Sequence, residues 1–187
     1  MAFILDRDDL FEVRASGQGQ GSGNGVFCIK DVKAGTILEY SGMVFKESNA
    51  PKDMERTFVV ACDYYNSKGK ARTSNIYSID GHPHKEPVVS LEQYKKVGCQ
   101  INEASRGNNP NCMFTINPLL TKSSFKDAFT NQTIVTATCI VIVEDLPAGT
   151  ELLTMYGDDY SDRKYKPCKM KRKYHDKMVD KAYSFTD

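Results

Sequence analysis

No two of the six cysteines stand in a C-x-x-C or C-x-C pair. Cys28, Cys62, Cys99, Cys112, Cys139 and Cys168 are scattered singly, which argues against a zinc cluster supplied by this chain alone and leaves no metal site to name. Several sit inside apolar strand-like runs, where a thiol behaves as a small hydrophobe. Net charge is lacking too. Lys+Arg number 25 against 24 Asp+Glu, which argues against a protein living on nucleic acid as a whole, while a local basic patch stays open. No apolar run approaches the ~20 residues of a membrane span. Residues 1–10 hold too short an apolar segment and too many acids for a signal peptide. A reduced, soluble chain in nucleus or cytosol is expected, with no membrane partner. The glycine-rich stretch 17–25 offers G-x-G-x-x-G in no register, and no G-K-[ST] follows, so neither a Rossmann fingerprint nor a P-loop is present.

What is there fits one domain of short strands, with 187 residues enough for a sizeable core. The glycines weaken helix and packed strand alike, so 17–22 is expected as a flexible surface loop. Strands are expected at 25–29 and 36–40, with a turn at 31–35 between them. Residues 30–38, Lys-Asp-Val-Lys-Ala-Gly-Thr-Ile-Leu, return as Glu-Asp-Leu-Pro-Ala-Gly-Thr-Glu-Leu at 144–152. In both, an acid leaves a strand, a glycine closes a turn and a new strand begins, so two small sheets built alike are expected. Residues 46–57 read as short helix or loop and 58–62 as a strand. A polar insert at 66–75 separates that strand from 76–81. Residues 90–97 are weakly helical, with Ser90 as N-cap and Gln93 three positions on. The β-branched run 133–143 predicts one strand.

The tail differs. Arg163, Lys164, Lys166, Lys169, Lys171, Arg172, Lys173, Lys177 and Lys181 face only Asp176 and Asp180. Pro167 is placed to begin a helix. Met170, Tyr174 and Met178 then recur on one face. Two readings stand side by side: the stripe docks on the domain with a solvated basic face, or that face meets nucleic acid or an acidic partner.

Residues 151–160, Glu-Leu-Leu-Thr-Met-Tyr-Gly-Asp-Asp-Tyr, follow the longest apolar run and a Pro-Ala-Gly turn. Tyr156 stands beside a glycine and two acids where a strand gives way to irregular backbone. Reactive side chains are often displayed at such junctions, although tyrosines near strand ends also serve as packing. Four other stretches precede it in order: Gly23-x-Gly25-Val26-Phe27; Glu39-Tyr40-x-Gly42; Tyr77-x-Ile79-Asp80; and Ile101-Asn102 with Pro110-Asn111-Cys112. Together with Gly149-x-Glu151-Leu152 leading to Tyr156-Gly157, they resemble the SET-domain protein lysine methyltransferases over residues 16–160. The ending is most similar to the PR branch of that superfamily.

The resemblance implies a mainly β fold with some α: a SET-domain fold of small curved sheets with a pseudoknot-like core made by 102–112 and 150–156. It implies a SET domain over 1–160, interrupted by a polar insert at about 46–75, and a basic, helical C-terminal segment at 161–187 as a candidate channel lid. The implied activity is protein-lysine N-methyl transfer from S-adenosylmethionine, with a histone tail as the substrate typical of the family. Gly23, Asn24, Gly25, Asn102 and Glu103 fall at cofactor-binding positions, Tyr40, Tyr77 and Thr154 at substrate-channel positions, and Tyr156 at the catalytic one. The residue types suit these roles. Glycines admit close backbone approach, and an asparagine offers donor and acceptor together, for a zwitterionic methionine end or an adenine edge. Tyrosine faces attract a cationic lysine or sulfonium.

The chain also departs from the family pattern. Glu103 follows the asparagine where histidine is usual, placing a negative charge near the cofactor. Cys99 replaces an arginine three before it, and Asn75 replaces a tyrosine five before the Ile-Asp aspartate. Thr154 stands where an aromatic is common, which implies a roomier pocket and transfer of two or three methyl groups. No cysteine-rich motif follows Tyr160, so the tail would close the channel, with Tyr165 or Tyr174 as lids. The departures motivate a rival reading, a catalytically weak SET/PR-like protein-interaction module. A third reading is a nucleic-acid binder working through its basic tail.

Overall fold

The longest apolar run becomes the strand to which both halves of the core attach. The structure, a computed structural model, describes residues 9–19, 22–40, 43–50, 52, 59–65, 71–80, 98–116, 124–126, 133–135, 138–156, 166–169 and 172–184. In chain order the strands are β1 (Phe11–Ala15), β2 (Asn24–Cys28), β3 (Ile37–Glu39), β4 (Met43–Lys46), β5 (Val59–Tyr65), β6 (Ala71–Asp80), β7 (Asn102–Glu103), β8 (Cys112–Ile116), β9 (Ser124–Lys126), β10 (Thr133–Val135), β11 (Thr138–Ile142) and β12 (Leu153–Thr154). A single α-helix among the described residues, α1, spans Arg172–Ser184. The mainly β expectation is met, in five small sheets among the described residues.

Strand β11 is the middle of the antiparallel sheet β3-β11-β8. Cys139, Ile140, Val141 and Ile142 are all wholly buried. Successive side chains of a strand point to opposite faces. Ile140 and Ile142 therefore enter one cluster with Val26, Leu38, Tyr40, Ile101 and Leu152. Cys139 and Val141 enter another with Ile37, Met113, Met178 and Ala182. A strand covered on both sides needs the continuous apolar run seen here. Each such side chain contributes roughly 1.5–3 kcal/mol on burial.

The second cluster settles where the C-terminal helix sits. Met178 and Ala182, one turn apart on α1, are buried, whereas Asp176, Lys177, Asp180 and Lys181 are exposed. Of the expected stripe, Met178 packs into this cluster while the charged residues named are solvated; Met170 and the Tyr174 side chain lie outside the described residues. The helix begins at Arg172 and not at Pro167. Pro167 instead forms an extended bridge with Ser105, flanked by Arg106 N–H donating to the Lys166 carbonyl at 2.8 Å and Cys168 N–H donating to the Ala104 carbonyl at 2.7 Å. Those neighbours take up the backbone groups that a helix would have used.

Two other expectations are corrected. Residues 133–143 hold two strands with different partners, since β10 pairs with β9 while β11 pairs with β3 and β8. β-Branched residues favour extended backbone without choosing a partner. The polar insert does not run to residue 75. Strand β6 starts at Ala71 and is paired to β5 and β4 on its two sides. Ladder hydrogen bonds come from the backbone, so the polarity of 71–75 does not prevent pairing. The polar stretch after β4 makes a 3-10 turn at Glu47–Asn49, where the Ser78 hydroxyl bonds the Glu47 carboxylate. The helix expected at 90–97 lies outside the described residues.

The two like turns meet each other. Val32 and Leu146 exchange N–H···O bonds of 2.8 Å in both directions. Gly35 N–H bonds the Ile142 carbonyl as Gly149 N–H bonds the Cys28 carbonyl, and both glycines have φ of 83°. That left-handed conformation explains glycine at the same place in each copy.

Candidate active site

The second turn delivers the chain to the site. After Gly149, residues 150–152 run beside β2, with Cys28 N–H donating to the Thr150 carbonyl at 2.9 Å and Leu152 N–H donating to the Val26 carbonyl at 2.7 Å. Strand β12 then pairs in parallel with β7, Leu153 opposite Asn102 and Thr154 opposite Glu103. On its other side lies Asn111, buried, whose carboxamide satisfies two backbone groups. Its Nδ2 donates to the Glu151 carbonyl at 2.8 Å and its Oδ1 accepts from Leu153 N–H at 2.9 Å. Asn111 N–H also donates to the Leu153 carbonyl at 2.9 Å. Residues 151–154 are thus held between the two ends of the loop 104–111, the pseudoknot-like arrangement expected.

At the exit of this channel of backbone stands Tyr156, half-buried. Its hydroxyl donates to the Ile101 carbonyl at 2.7 Å, and its N–H donates to the Glu103 carboxylate at 3.0 Å. Glu103 is buried and turned toward that amide. The side chain that replaces the family's usual histidine therefore fastens the tyrosine from below.

Asn102 lies at the edge of β2. Its Nδ2 donates to the Asn24 carbonyl at 2.8 Å and to the Glu151 carboxylate at 3.3 Å. Gly23 has φ of 63° and open space around it, while its carbonyl accepts from Ser16 N–H at 2.9 Å. Gly25 is a glycine for another reason. A Cβ there would collide with the Glu151 carboxylate and lie 3.1 Å from Asn102 Nδ2. Gly23, Asn24, Gly25, Asn102, Glu103 and Tyr156 are therefore brought together.

The channel residues are spread more widely. Thr154 is wholly buried beneath this group, its carbonyl accepting from Ala104 N–H at 2.9 Å. Tyr40 is buried in the first core cluster with Ile101, edge-on to Phe114 at a ring separation of 5.6 Å. Tyr77 stands in β6 opposite Lys46. The side chains of Tyr77, Cys99, Asn75 and Tyr174, and the whole of Tyr165, lie outside the described residues.

Glu151 was missed as a site residue. Its carboxylate accepts from the Ser16 hydroxyl at 2.6 Å and from Gly17 N–H at 2.9 Å as well as from Asn102. The sequence offered it as part of the Gly149-x-Glu151-Leu152 motif and as an acid opening an apolar run, with nothing to name its partners. Gln18 was missed too. Its Oε1 accepts from Ser105 N–H at 3.0 Å, Ser105 Oγ at 2.8 Å and Asn108 Nδ2 at 3.1 Å, fastening the glycine stretch to the loop after β7. Beyond that loop a cavity of about 780 Å³ is lined by Arg106, Asn108, Lys166, Pro167, Cys168 and Lys169 among others.

Thiol chemistry is not offered here. Burial pushes the Cys28 thiol up to about 11, with Asp31 adding to it. Burial likewise raises Cys112 far above the usual thiol range. Both are protonated at neutral pH and too poor as nucleophiles to carry a reaction.

The chain belongs to the SET-domain family, whose model matches residues 23–157. No curated protein gives a significant match. Among solved structures, a Plasmodium falciparum protein named as a candidate histone methyltransferase is similar at 15% identity with a TM-score of 0.41, over 81% of this chain and 96% of that one. Members of the family are mostly protein lysine methyltransferases that use S-adenosylmethionine.

Proposed function

We propose that the chain is an S-adenosylmethionine-dependent protein-lysine N-methyltransferase. The observation that supports this most is the double fastening of Tyr156, at its hydroxyl by Ile101 and at its amide by Glu103. A phenol that has given its proton to a carbonyl keeps an oxygen lone pair for an incoming N–H. It then aims the amine's own lone pair, which is the alignment an in-line displacement requires. A phenol with a pKa of ~10 is in the wrong form to act as a base at neutral pH, so Tyr156 orients and takes no proton.

The residues present fit the cofactor. Among the described residues the Asn102 amide oxygen accepts no bond, and the space over Gly23 is open. Gly23, Asn24, Asn102 and the Glu103 backbone would hold S-adenosylmethionine, which supplies an electrophilic methyl group when bound. The lysine must arrive neutral, against an ordinary pKa of ~10.4. A dry aromatic passage ending at a cationic centre lowers that value by desolvation and like charge. The substrate is a protein lysine, with a histone tail as the family's typical case. The threonine at 154 favours two or three methyl groups on the product, and a mass spectrum holding only monomethyl-lysine after long reaction would overturn that.

Calorimetric titration of S-adenosylmethionine into wild type and Asn102→Ala tests the reading. Micromolar binding lost in the variant supports it. Peptide-array methylation should then fall ~100-fold in Tyr156→Phe with cofactor affinity unchanged. Absence of binding at millimolar cofactor would leave the rival, a catalytically weak protein-interaction module.

A second role is favoured by the cavity, where Arg106, Lys166 and Lys169 converge with no carboxylate among the described residues of its lining. Contact with nucleic acid there predicts binding that weakens steeply with salt and is lost on reversing these charges. Salt-independent binding, or none, would remove it.

A further inference from the structure

We infer that Glu151 is a positioning residue that decides which end of the Asn102 amide faces the cofactor. The inference rests on the cofactor reading above and names how that site is set.

Three donors from two separate parts of the chain converge on this one carboxylate: the Ser16 hydroxyl at 2.6 Å, Gly17 N–H at 2.9 Å and Asn102 Nδ2 at 3.3 Å. Gly25 is kept bare by the space the carboxylate occupies. An ionised carboxylate is acceptor-only at both oxygens. One oxygen takes Ser16 and Asn102, and the other takes Gly17. The remaining Asn102 N–H is taken by the Asn24 carbonyl at 2.8 Å. With both of its N–H groups committed, Asn102 has one orientation only. Its oxygen is turned away from Glu151 and Asn24, and among the described residues nothing donates to it.

An oxygen so presented is complementary to a cationic donor. The cofactor carries one at its amino-acid end, the α-ammonium. Turning the amide over would set an NH₂ against that ammonium and a carbonyl oxygen against the Glu151 carboxylate, unfavourable on both sides. The carboxylate also ties the Ser16–Gly17 turn to Asn102, so the glycine stretch and β7 are fixed by one group.

Glutamine cannot take this place. Either orientation of its amide puts an NH₂ against Gly17 N–H or against Ser16 and Asn102, and in the second case Asn102 is driven to turn over. Full-length wild type and Glu151→Gln are compared in two measurements. The first, without cofactor, is a nitrogen–proton correlation spectrum following the Gly17 amide and the Asn102 side-chain NH₂. Both should shift in the variant; an unchanged pair of signals overturns the inference. The second is calorimetry with S-adenosylhomocysteine, which has the ammonium, and with 5′-methylthioadenosine, which lacks it. Glu151→Gln should bind the first about 10–100-fold more weakly and the second as wild type does. Equal weakening of both, or of neither, overturns it. If wild type binds neither compound while the spectra shift, the fault lies with the cofactor reading and the inferred effect on cofactor binding falls with it, leaving only the structural tie. Should Glu151→Gln fail to fold, Ser16→Ala removes one donor and leaves the charge in place. It should move the same signals and weaken S-adenosylhomocysteine selectively, and failure to do either is equally decisive.

Discussion

Asp31 and Asp145 cap each other's turns. The Asp31 carboxylate accepts Ala148 N–H at 3.0 Å, and the Asp145 carboxylate accepts Ala34 N–H at 2.9 Å. Each acid stands at the same place in one of the two like turns, so each copy is completed by the other. The symmetry is broken by Lys33, which pairs with Asp145 at 2.6 Å, whereas proline occupies the corresponding position 147.

That pairing makes Asp145 pH-sensitive. Its hydrogen bond to Lys33 first, and Ala34 N–H second, hold its carboxyl below the usual range. A depressed folded pKa stabilises the fold above the unfolded value of ~3.9, and that stabilisation is lost as pH falls through the folded value. Wild type should therefore unfold at higher urea than Asp145→Asn at pH 7, with the gap closing toward pH 3. Lys33, raised by the same bond, contributes fully below the unfolded value of ~10.4 and loses that contribution as pH rises through its folded pKa. A gap unchanged at pH 3 would contradict the assignment.

Asn111 holds the threaded segment with both ends of its carboxamide. Asn111→Ala leaves a buried carbonyl and a buried N–H without their partners, for an expected loss of ~2–4 kcal/mol in chemical denaturation. Asn111→Asp keeps the acceptor and loses the donor, so it should not restore wild-type stability. A loss under ~0.5 kcal/mol in both would show that the loop ends hold the segment without it.

Two glycines in the same stretch should respond to alanine for different reasons. Gly25 pairs with Arg14 in an ordinary ladder, so the cost of Gly25→Ala is overpacking against Glu151, ~1–3 kcal/mol. Gly23 has room for a methyl group and a left-handed φ, so Gly23→Ala carries backbone strain of ~1 kcal/mol. Pairing each with Glu151→Ala separates them by denaturation. The first cost should shrink and the second should not.

Glu103 should be replaceable by an acceptor and by nothing else. Glu103→Gln retains an oxygen for Tyr156 N–H and should keep most methyl transfer in a radiolabel assay. Glu103→Ala loosens the tyrosine and should lower turnover ~10-fold or more with cofactor affinity little changed. Equal activity in both variants would remove Glu103 from the seating of Tyr156.

The sequence was most informative where side-chain pattern and backbone demand coincide. The β-branched run 133–143 announced extended backbone, and the repeated Ala-Gly-Thr stretches announced two like turns. The ordered motifs around Gly25, Asn102, Asn111 and Tyr156 announced the family and its threaded core. Legibility failed where the cause lay across the chain. Nothing near Ala71 shows that β4 and β5 will pair with a polar strand. Nothing near Pro167 shows that Ala104 and Arg106 will draw it into extended backbone. Glu151 looked like a strand-opening acid because its donors, Ser16 and Gly17, stand 135 and 134 residues away.

The same separation sets a timetable for folding. Strand β2 obtains its second neighbour from residues 150–152, and those residues lie between loop ends that belong to the middle of the chain. Contacts between such distant segments form slowly because loop closure must precede them. During synthesis the N-terminal hairpin waits, half-edged, until almost the last strand has emerged. Beginning and end are then sealed in one event. In pulsed hydrogen exchange during refolding, the Cys28 and Leu152 amides should gain protection in a single shared phase. Early protection of Cys28 alone would show that the first sheet closes without its distant neighbour.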